Sequence, residues 1–270
     1  RALCWCATGL ILLAALSGSG QGIRGRMLAE GPAAAEGPAA AEGPAVAESP
    51  AMVEGGVLAA LAAPVRISDM GPDGDAAYSA LSPAAAYRPQ TRTYLAVWVG
   101  EDDAGSLAPG ELEVYGQALD GAGQPSGSRF RISSMGTDGD ATAAARDPAV
   151  AYHAAADQFL VVWAGSEGGS AAGELEIYGQ RLDGSTFSPL GERLRLSDMG
   201  PDGDAASDAF HPAVASNSAT GEYLVVWHGN DAHNHGVEVF AQRLSAATGA
   251  ELGANDQIVR AMGSDPTDQS

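Results

Sequence analysis

The 270-residue chain contains no lysine: all 14 of its basic residues are arginine, and they face 34 acidic residues for a formal net charge of -20. Binding to nucleic acid requires clustered positive charge that neutralises phosphates. This charge balance therefore excludes a nucleic-acid-binding protein and argues against docking to an anionic membrane surface. It is compatible with a secreted protein, with a cation-binding protein, or with both.

Cysteine is nearly absent as well, because the chain has only Cys4 and Cys6, which precede an apolar stretch that ends at Leu16. A basic residue, a short apolar core and small residues after it are typical of a secretory signal peptide. A membrane span needs about 20 apolar residues, and this stretch is shorter. We expect residues 1–27 to be a signal peptide or a short apolar anchor, and the protein to be extracellular or at the cell surface. Without this segment the chain can form no disulfide and no cysteine metal site.

Residues 28–63 contain few large apolar side chains and repeat the unit AEGPAA. Proline every six residues prevents a continuous helix, and nothing large is present to build a core. We expect a disordered, negatively charged, low-complexity linker. The chain also starts at Arg1 rather than Met, and we expect the natural gene product to be longer.

From residue 64 to residue 270 the chain consists of copies of one unit of about 64 residues. The motif RISDMGPDGD begins at Arg66 and returns with small changes at Arg131 and Arg195. A tryptophan follows in the same phase each time, at positions 98, 163 and 227. The repeats are predicted at about 66–130, 131–194 and 195–260, and such periodicity must be interpreted before any single motif.

Each repeat contains four short strand candidates separated by Gly, Pro, Asp and Ser. The second, such as Tyr94–Trp98, is continuously apolar and predicted to be buried on both faces; the third, such as Glu111–Gln117, alternates and should be half-buried. This pattern predicts an all-β, propeller-like array of about three four-stranded antiparallel blades, as an open arc or part of a larger ring. Val65–Ser68 is predicted to be the last strand of a further blade. An open arc exposes edge strands, through which the chain could self-associate.

The phrases PAVAY, YLVVW and EIYGQRLD resemble the repeats of largely uncharacterised bacterial secreted proteins. That resemblance implies a propeller-like fold and is nearly silent about activity. The Asp-rich turn of each repeat is loosely similar to the calcium loops of integrin-type propellers, although the spacing of the aspartates differs.

Acidic residues are concentrated in the loops that enter the first strand of each blade. In an up-and-down blade these loops lie on the same rim as the loops between strands two and three, which carry Glu101 and Glu167. Crowded carboxylates attract hard cations, so we expect Ca2+ as a cofactor. The alternative is an Asp-Gly turn whose side chains bind their own backbone. The predicted ligands are Asp69, Asp73, Asp75, Asp138, Asp140, Asp198, Asp202 and Asp204.

Two further sets of residues have simpler interpretations. The three tryptophans could stack on sugars, but their recurrence in every repeat favours core packing. The pairs Glu111 with Glu113 and Glu174 with Glu176 could form an acid pair for glycoside cleavage, yet they recur while an active site is normally a single feature. His228, His233 and His235 occur only in the third repeat and are interpreted as incidental surface residues.

These observations lead to a prediction that the chain is not an enzyme. We expect a secreted or cell-surface binding or adhesion module with an unknown protein or glycan ligand, without nucleic-acid partners and without an integral membrane span beyond the first segment. Two alternatives stay open: a fragment of a propeller-type polysaccharide hydrolase or lyase, and a structural envelope component.

Overall fold

The computed structural model describes residues 63–72, 74–75, 78–101, 107–230 and 236–259. They fall within one compact unit, Leu61–Ser270. The predicted signal segment and nearly all of the predicted linker lie outside the described residues. Among the described residues, no helix is long and apolar enough to cross a membrane.

The chain forms three sheets of four antiparallel strands each, which we call blades 1, 2 and 3. In each blade the strands follow one another in chain order, as in an up-and-down meander. The predicted all-β, propeller-like fold with three four-stranded antiparallel blades is therefore confirmed. The strands are β1 (Ala80–Arg88), β2 (Thr93–Gly100), β3 (Glu113–Leu119), β4 (Phe130–Arg131), β5 (Ala143–His153), β6 (Gln158–Glu167), β7 (Glu176–Asp183), β8 (Leu194–Arg195), β9 (Ala209–Asn217), β10 (Glu222–Gly229), β11 (Glu238–Ser245) and β12 (Glu251–Val259).

Blade 2 lies between the other two, and its central strand β6 is buried on both faces, as predicted. Leu160 and Val162 pack against blade 3, whereas Phe159, Val161 and Trp163 pack against blade 1. Strand β10 of blade 3 differs, because its burial alternates along the strand. The prediction of burial on both faces is wrong for β10, since within the described part of the chain only one of its faces meets another blade.

The third strands also differ from their predicted half-burial, because β3 and β7 are almost fully buried. Polar side chains on these strands make hydrogen bonds within the protein. Gln117, for example, donates from Nε2 to the carbonyl oxygens of Ser126 and Gly127 at 3.2 Å each. The alternation of residue types is therefore present in the sequence without indicating exposure to solvent.

The segment before blade 1 is not a strand, so the prediction for Val65–Ser68 is wrong. Ile67 and Met70 instead pack onto Trp98 and Tyr115 of blade 1. The sulfur of Met70 lies 3.2 Å from Trp98 Nε1, and the sulfur of Met135 lies 3.3 Å from Trp163 Nε1. A methionine that precedes each blade therefore completes the core of that blade, and the tryptophans are core residues as predicted.

Candidate functional site

The first strands β1, β5 and β9 lie side by side, and each is interrupted by a β-bulge at the same place. The bulges contain Pro83, Pro148 and Pro212, because proline cannot donate to a strand ladder. The residue before each proline is Ser82, Asp147 or His211, with φ values of 50°, 49° and 52°. Non-glycine residues rarely adopt this left-handed conformation, and such strain is concentrated at functional sites.

The bulges bring these three side chains into contact across the three blades. The Ser82 hydroxyl donates to Asp147 Oδ1 at 3.3 Å, and His211 Nδ1 lies 3.0 Å from Asp147 Oδ2. Ser82 and His211 are exposed, while Asp147 is half-buried. We call Ser82, Asp147 and His211 the bulge cluster. It is an asymmetric feature in a repetitive fold, because each blade contributes a different residue type at the same position.

His228 on β10 extends the bulge cluster. Its ring centroid lies 5.0 Å from that of His211 and 4.6 Å from that of Phe210. Burial lowers the pKa of His228, the neighbouring His211 lowers it further, and Asp147 opposes the shift. This imidazole is therefore neutral at neutral pH and can accept a proton.

The order of contacts in the bulge cluster decides its chemistry. The serine hydroxyl donates to the carboxylate rather than to the imidazole, so Ser82 is not activated in the manner of a Ser-His-Asp triad. Asp147 is instead the shared acceptor. A carboxylate held beside imidazoles on an open surface is suited to take a proton from a bound water or hydroxyl group.

The second feature is an acidic cluster of two buried glutamates and one exposed aspartate, where blade 1 meets the turn that leads into blade 2. Oxygens of Glu111, Glu113 and Asp138 lie within 4.8 Å of one another. Arg131 occupies the same cluster, with Nη2 3.0 Å from Glu113 Oε1 and 2.6 Å from Asp138 Oδ1. The Ser133 hydroxyl donates to Glu113 Oε2. Arg131 therefore supplies positive charge beside Asp138, which is one of the predicted calcium ligands.

Glu111 differs from its neighbours in this cluster. Its Oε2 accepts the backbone N–H groups of Ala108 and Gly139, both at 2.8 Å. Its Oε1 is buried and has no hydrogen-bond partner among the described residues. A buried carboxylate oxygen without a donor is costly and needs an explanation.

Blade 2 repeats this arrangement around a recess of about 210 Å3, which Glu174, Glu176, Tyr178 and Arg195 line. Arg195 Nη2 lies 3.0 Å from Glu176 Oε1 and 3.6 Å from Glu174 Oε1, an oxygen that has no hydrogen-bond partner among the described residues. Blade 3 has Gly236 at the position of Glu111 and Glu174. The acidic pair is thus present in two blades.

Burial raises the pKa of Glu113 and of Glu176. In each blade the serine hydroxyl and the backbone N–H of the following methionine donate to the carboxylate and oppose this shift. Burial prevails, so these carboxyl groups hold their protons to a higher pH than an exposed glutamate does.

The predicted calcium ligands are distributed between arginine pairs and turns. Asp69 pairs with Arg66 at 3.4 Å, and Arg195 holds Asp198 and Asp202 at 3.1 Å each. The remaining ligands behave differently. Asp140 and Asp204 accept hydrogen bonds from residues of their own turns, Asp75 donates its backbone N–H to Pro72, and Asp73 lies outside the described residues.

The two predicted loop sets do meet on one rim. Gly169 N donates to the Thr142 hydroxyl at 3.3 Å, which joins the loop after β6 to the turn before β5. A Cβ atom at Gly168 would approach Asp140 Oδ2 to 2.6 Å, so this close approach requires glycine. His233 and His235 lie outside the described residues.

No family model matches the chain, and no curated protein matches its sequence. Among solved structures it is similar to an N-acetylgalactosamine deacetylase from F. plautii in complex with blood group B trisaccharide, with 13% identity, coverage of 69% of this chain and 54% of that chain, and a TM-score of 0.46. It is also similar to a GH43 endo-arabinanase from Bacillus licheniformis, with 17% identity, coverage of 65% of this chain and 56% of that chain, and a TM-score of 0.41. A third similar structure is a family 117 glycoside hydrolase from Zobellia galactanivorans, with 11% identity, coverage of 68% of this chain and 57% of that chain, and a TM-score of 0.44.

The chain spans little more than half the length of each of these proteins. All three are named as enzymes that act on carbohydrate, so the comparisons speak against the prediction that the chain is not an enzyme. At this level of identity the likeness extends to the fold alone.

Proposed function

We propose that this chain is part of a propeller-type hydrolase that acts on carbohydrate, with the bulge cluster as its reaction site. The observation that carries the proposal is the contact of Ser82, Asp147 and His211, three unlike residues at one repeated and strained position. Repetition explains the buried acidic pairs as parts of the blade. It does not explain why three unlike residues meet at this position.

Hydrolysis of a carbohydrate bond needs a group that removes a proton from water and a group that donates one to the departing oxygen. Asp147 is placed to act as the base, because its carboxylate is half-buried and held by two neighbours. His211 is placed to act as the acid through Nε2, because its Nδ1 faces Asp147 and its side chain is 63% exposed. Ser82 positions Asp147 through its hydroxyl.

The test is hydrolysis by the full chain and by Asp147→Asn. Arabinan and N-acetylgalactosaminides are suitable substrates, chosen only because two of the similar structures are named for such sugars. Loss of a single base or acid typically lowers the rate by 10²–10⁴-fold. We expect a decrease of about this size for Asp147→Asn and a smaller decrease for Ser82→Ala.

Glu111→Gln is the matched control, because it also replaces one carboxylate by its amide, but in the acidic cluster of blade 1. It should keep the activity if the bulge cluster is the reaction site. Equal losses in Asp147→Asn and Glu111→Gln, or full activity in Asp147→Asn, contradict the proposal.

A second candidate function is the ordering of the acidic rim by calcium. The specific observation that favours it is the buried Oε1 of Glu111, which lacks a partner among the described residues and lies beside Glu113 and Asp138. Binding would require Arg131 to yield part of its contacts. Millimolar Ca2+ should raise the melting temperature of the native chain and not that of Glu111→Gln; an equal response of the two proteins contradicts this role. Export and adhesion stay predictions.

A further inference from the structure

Blade 3 exposes a large apolar surface on the side that faces away from blade 2. Leu224 on β10 is 41% exposed, and Val237 and Val239 are 60% and 40% exposed. Leu224 alternates with Tyr223 and Val225, which are buried against blade 2. We call Leu224, Val237 and Val239 the outer face of blade 3.

The same positions are covered in the other two blades. Leu95 and Leu160 correspond to Leu224, and Val114 and Ile177 correspond to Val239; all four are fully buried. Leu95 and Val114 pack against blade 2, and Leu160 and Ile177 pack against blade 3. This sequence pattern therefore marks a surface that another blade covers.

Blade 1 presents the complementary surface. In blade 2, the rings of Tyr152 and Phe159 lie 5.0 Å apart and pack in the core shared with blade 1. Their counterparts in blade 1 are Tyr87 and Tyr94, whose rings lie 4.7 Å apart. Tyr87 is 42% exposed. Blade 1 therefore has the aromatic pair that receives a preceding blade, and this pair is accessible.

A backbone hydrogen bond recurs at each junction between blades. Ala145 N donates to Leu112 O at 2.7 Å between blades 1 and 2, and Ala209 N donates to Leu175 O at 2.7 Å between blades 2 and 3. The next members of the two series are Ala80 in blade 1 and Val237 in blade 3. A junction of the same kind between blade 3 and a blade 1 would thus join Ala80 N to Val237 O.

We propose that two copies of this chain associate so that blade 3 of each copy packs its outer face on blade 1 of the other. The contact repeats the junction already present twice within the chain, and it uses blade faces rather than edge strands. The described residues of two copies together supply six blades, a number within the usual range of four to eight for a propeller. A closed two-fold dimer is also the commonest symmetric assembly.

The mass of the full chain in solution tests this arrangement, by light scattering coupled to size exclusion at loading concentrations from about 1 to 100 μM. We expect the mass of two chains. Leu224→Glu should reduce it to that of one chain, because a charge in the junction disfavours burial. Ala122→Glu adds the same charge on an exposed hairpin of blade 1 and should leave the dimer intact. A single-chain mass at 100 μM, or a mass that grows past two chains, overturns the proposal.

A covalent trap covers the case in which Leu224→Glu fails to fold. Ala80→Cys and Val237→Cys are combined in a chain that also carries Cys4→Ser and Cys6→Ser, so that only the new thiols can pair. Because residues 80 and 237 lie at opposite ends of the blade array, the expected disulfide joins two chains. A dimer on a non-reducing gel that is absent from Val237→Cys alone supports the proposal. Absence of the dimer from the double variant under oxidising conditions overturns it.

Discussion

The packing between blades predicts a large loss of stability in Leu160→Ala. Leu160 is fully buried in the core that blades 2 and 3 share. Removing three carbon atoms forfeits about 2.4 kcal/mol of transfer free energy, at about 0.8 kcal/mol for each. A residual cavity of roughly 50 Å3 adds about 1.2 kcal/mol. The expected decrease in the free energy of unfolding is therefore about 3.5 kcal/mol.

Leu81→Ala is the matched control, because Leu81 is 50% exposed. It loses about half of the transfer term and leaves no cavity, so we expect a decrease of about 1.2 kcal/mol. Urea unfolding followed by tryptophan fluorescence measures both values. For a domain of this size, 1 kcal/mol shifts the melting temperature by about 2–4 °C, so Leu160→Ala should melt about 7–14 °C lower.

The two variants also test whether the blades unfold together. In a linear array each unit is stabilised by its neighbours, so a defect at the junction of blades 2 and 3 should weaken both blades. The reasoning is refuted if Leu160→Ala costs no more than Leu81→Ala. A single transition at lower denaturant is the expected profile for Leu160→Ala.

Three further predictions concern the polar groups. Ser133→Ala removes the hydroxyl that donates to buried Glu113 and accepts from Val114 N at 2.7 Å. We expect the free energy of unfolding, measured in urea, to decrease by about 2–3 kcal/mol. An unchanged urea midpoint contradicts this prediction. Burial raises the pKa of Glu113 above its ordinary value of 4.5. Its contribution to stability is therefore fully present below pH 4.5 and is lost as the pH rises through the raised pKa. Glu113→Gln should flatten that part of the stability–pH curve, and an unaltered curve contradicts this prediction. Hydrogen bonds from Arg88 lower the pKa of Asp157 below 3.8. The contribution of Asp157 to stability is therefore present above pH 3.8 and is lost as the pH falls through the lowered pKa. The stability of Asp157→Asn should lack this loss in an acid titration, and the same decrease in both proteins argues against the Arg88–Asp157 pair.

The repeat made most of the fold predictable, because tryptophans 98, 163 and 227 fix the phase of the strands. What the repeat could not supply was the context of each copy. Tyr223-Leu224-Val225 has the same pattern as Phe159-Leu160-Val161, yet Leu224 is exposed, because burial depends on whether a neighbouring blade is present. The fourth strands also differ between the copies, since β4 and β8 contain only two residues each while β12 contains nine.

The bulge cluster was missed, because the sequence does not single it out. Ser82, Asp147 and His211 each precede a repeated proline, and they are unlike residues at one position of the repeat. Other positions, such as the one occupied by Leu81, Arg146 and Phe210, also differ in every copy, so the difference alone does not mark a site. Their contact depends on the side-by-side placement of three first strands, which only the structure provides.

The contact between Met135 and Trp163 has a consequence for where the chain can be divided. Met135 follows β4, the last strand of blade 1, but it fills the core of blade 2. A fragment that begins at β5 would leave the indole of Trp163 open to water, and a fragment that ends at Met135 would leave the methionine without its partner. The unit that folds together is therefore offset from the four-stranded sheet by one connecting turn. A designer who shortens, extends or permutes this array should cut before that turn rather than at the first strand of a blade.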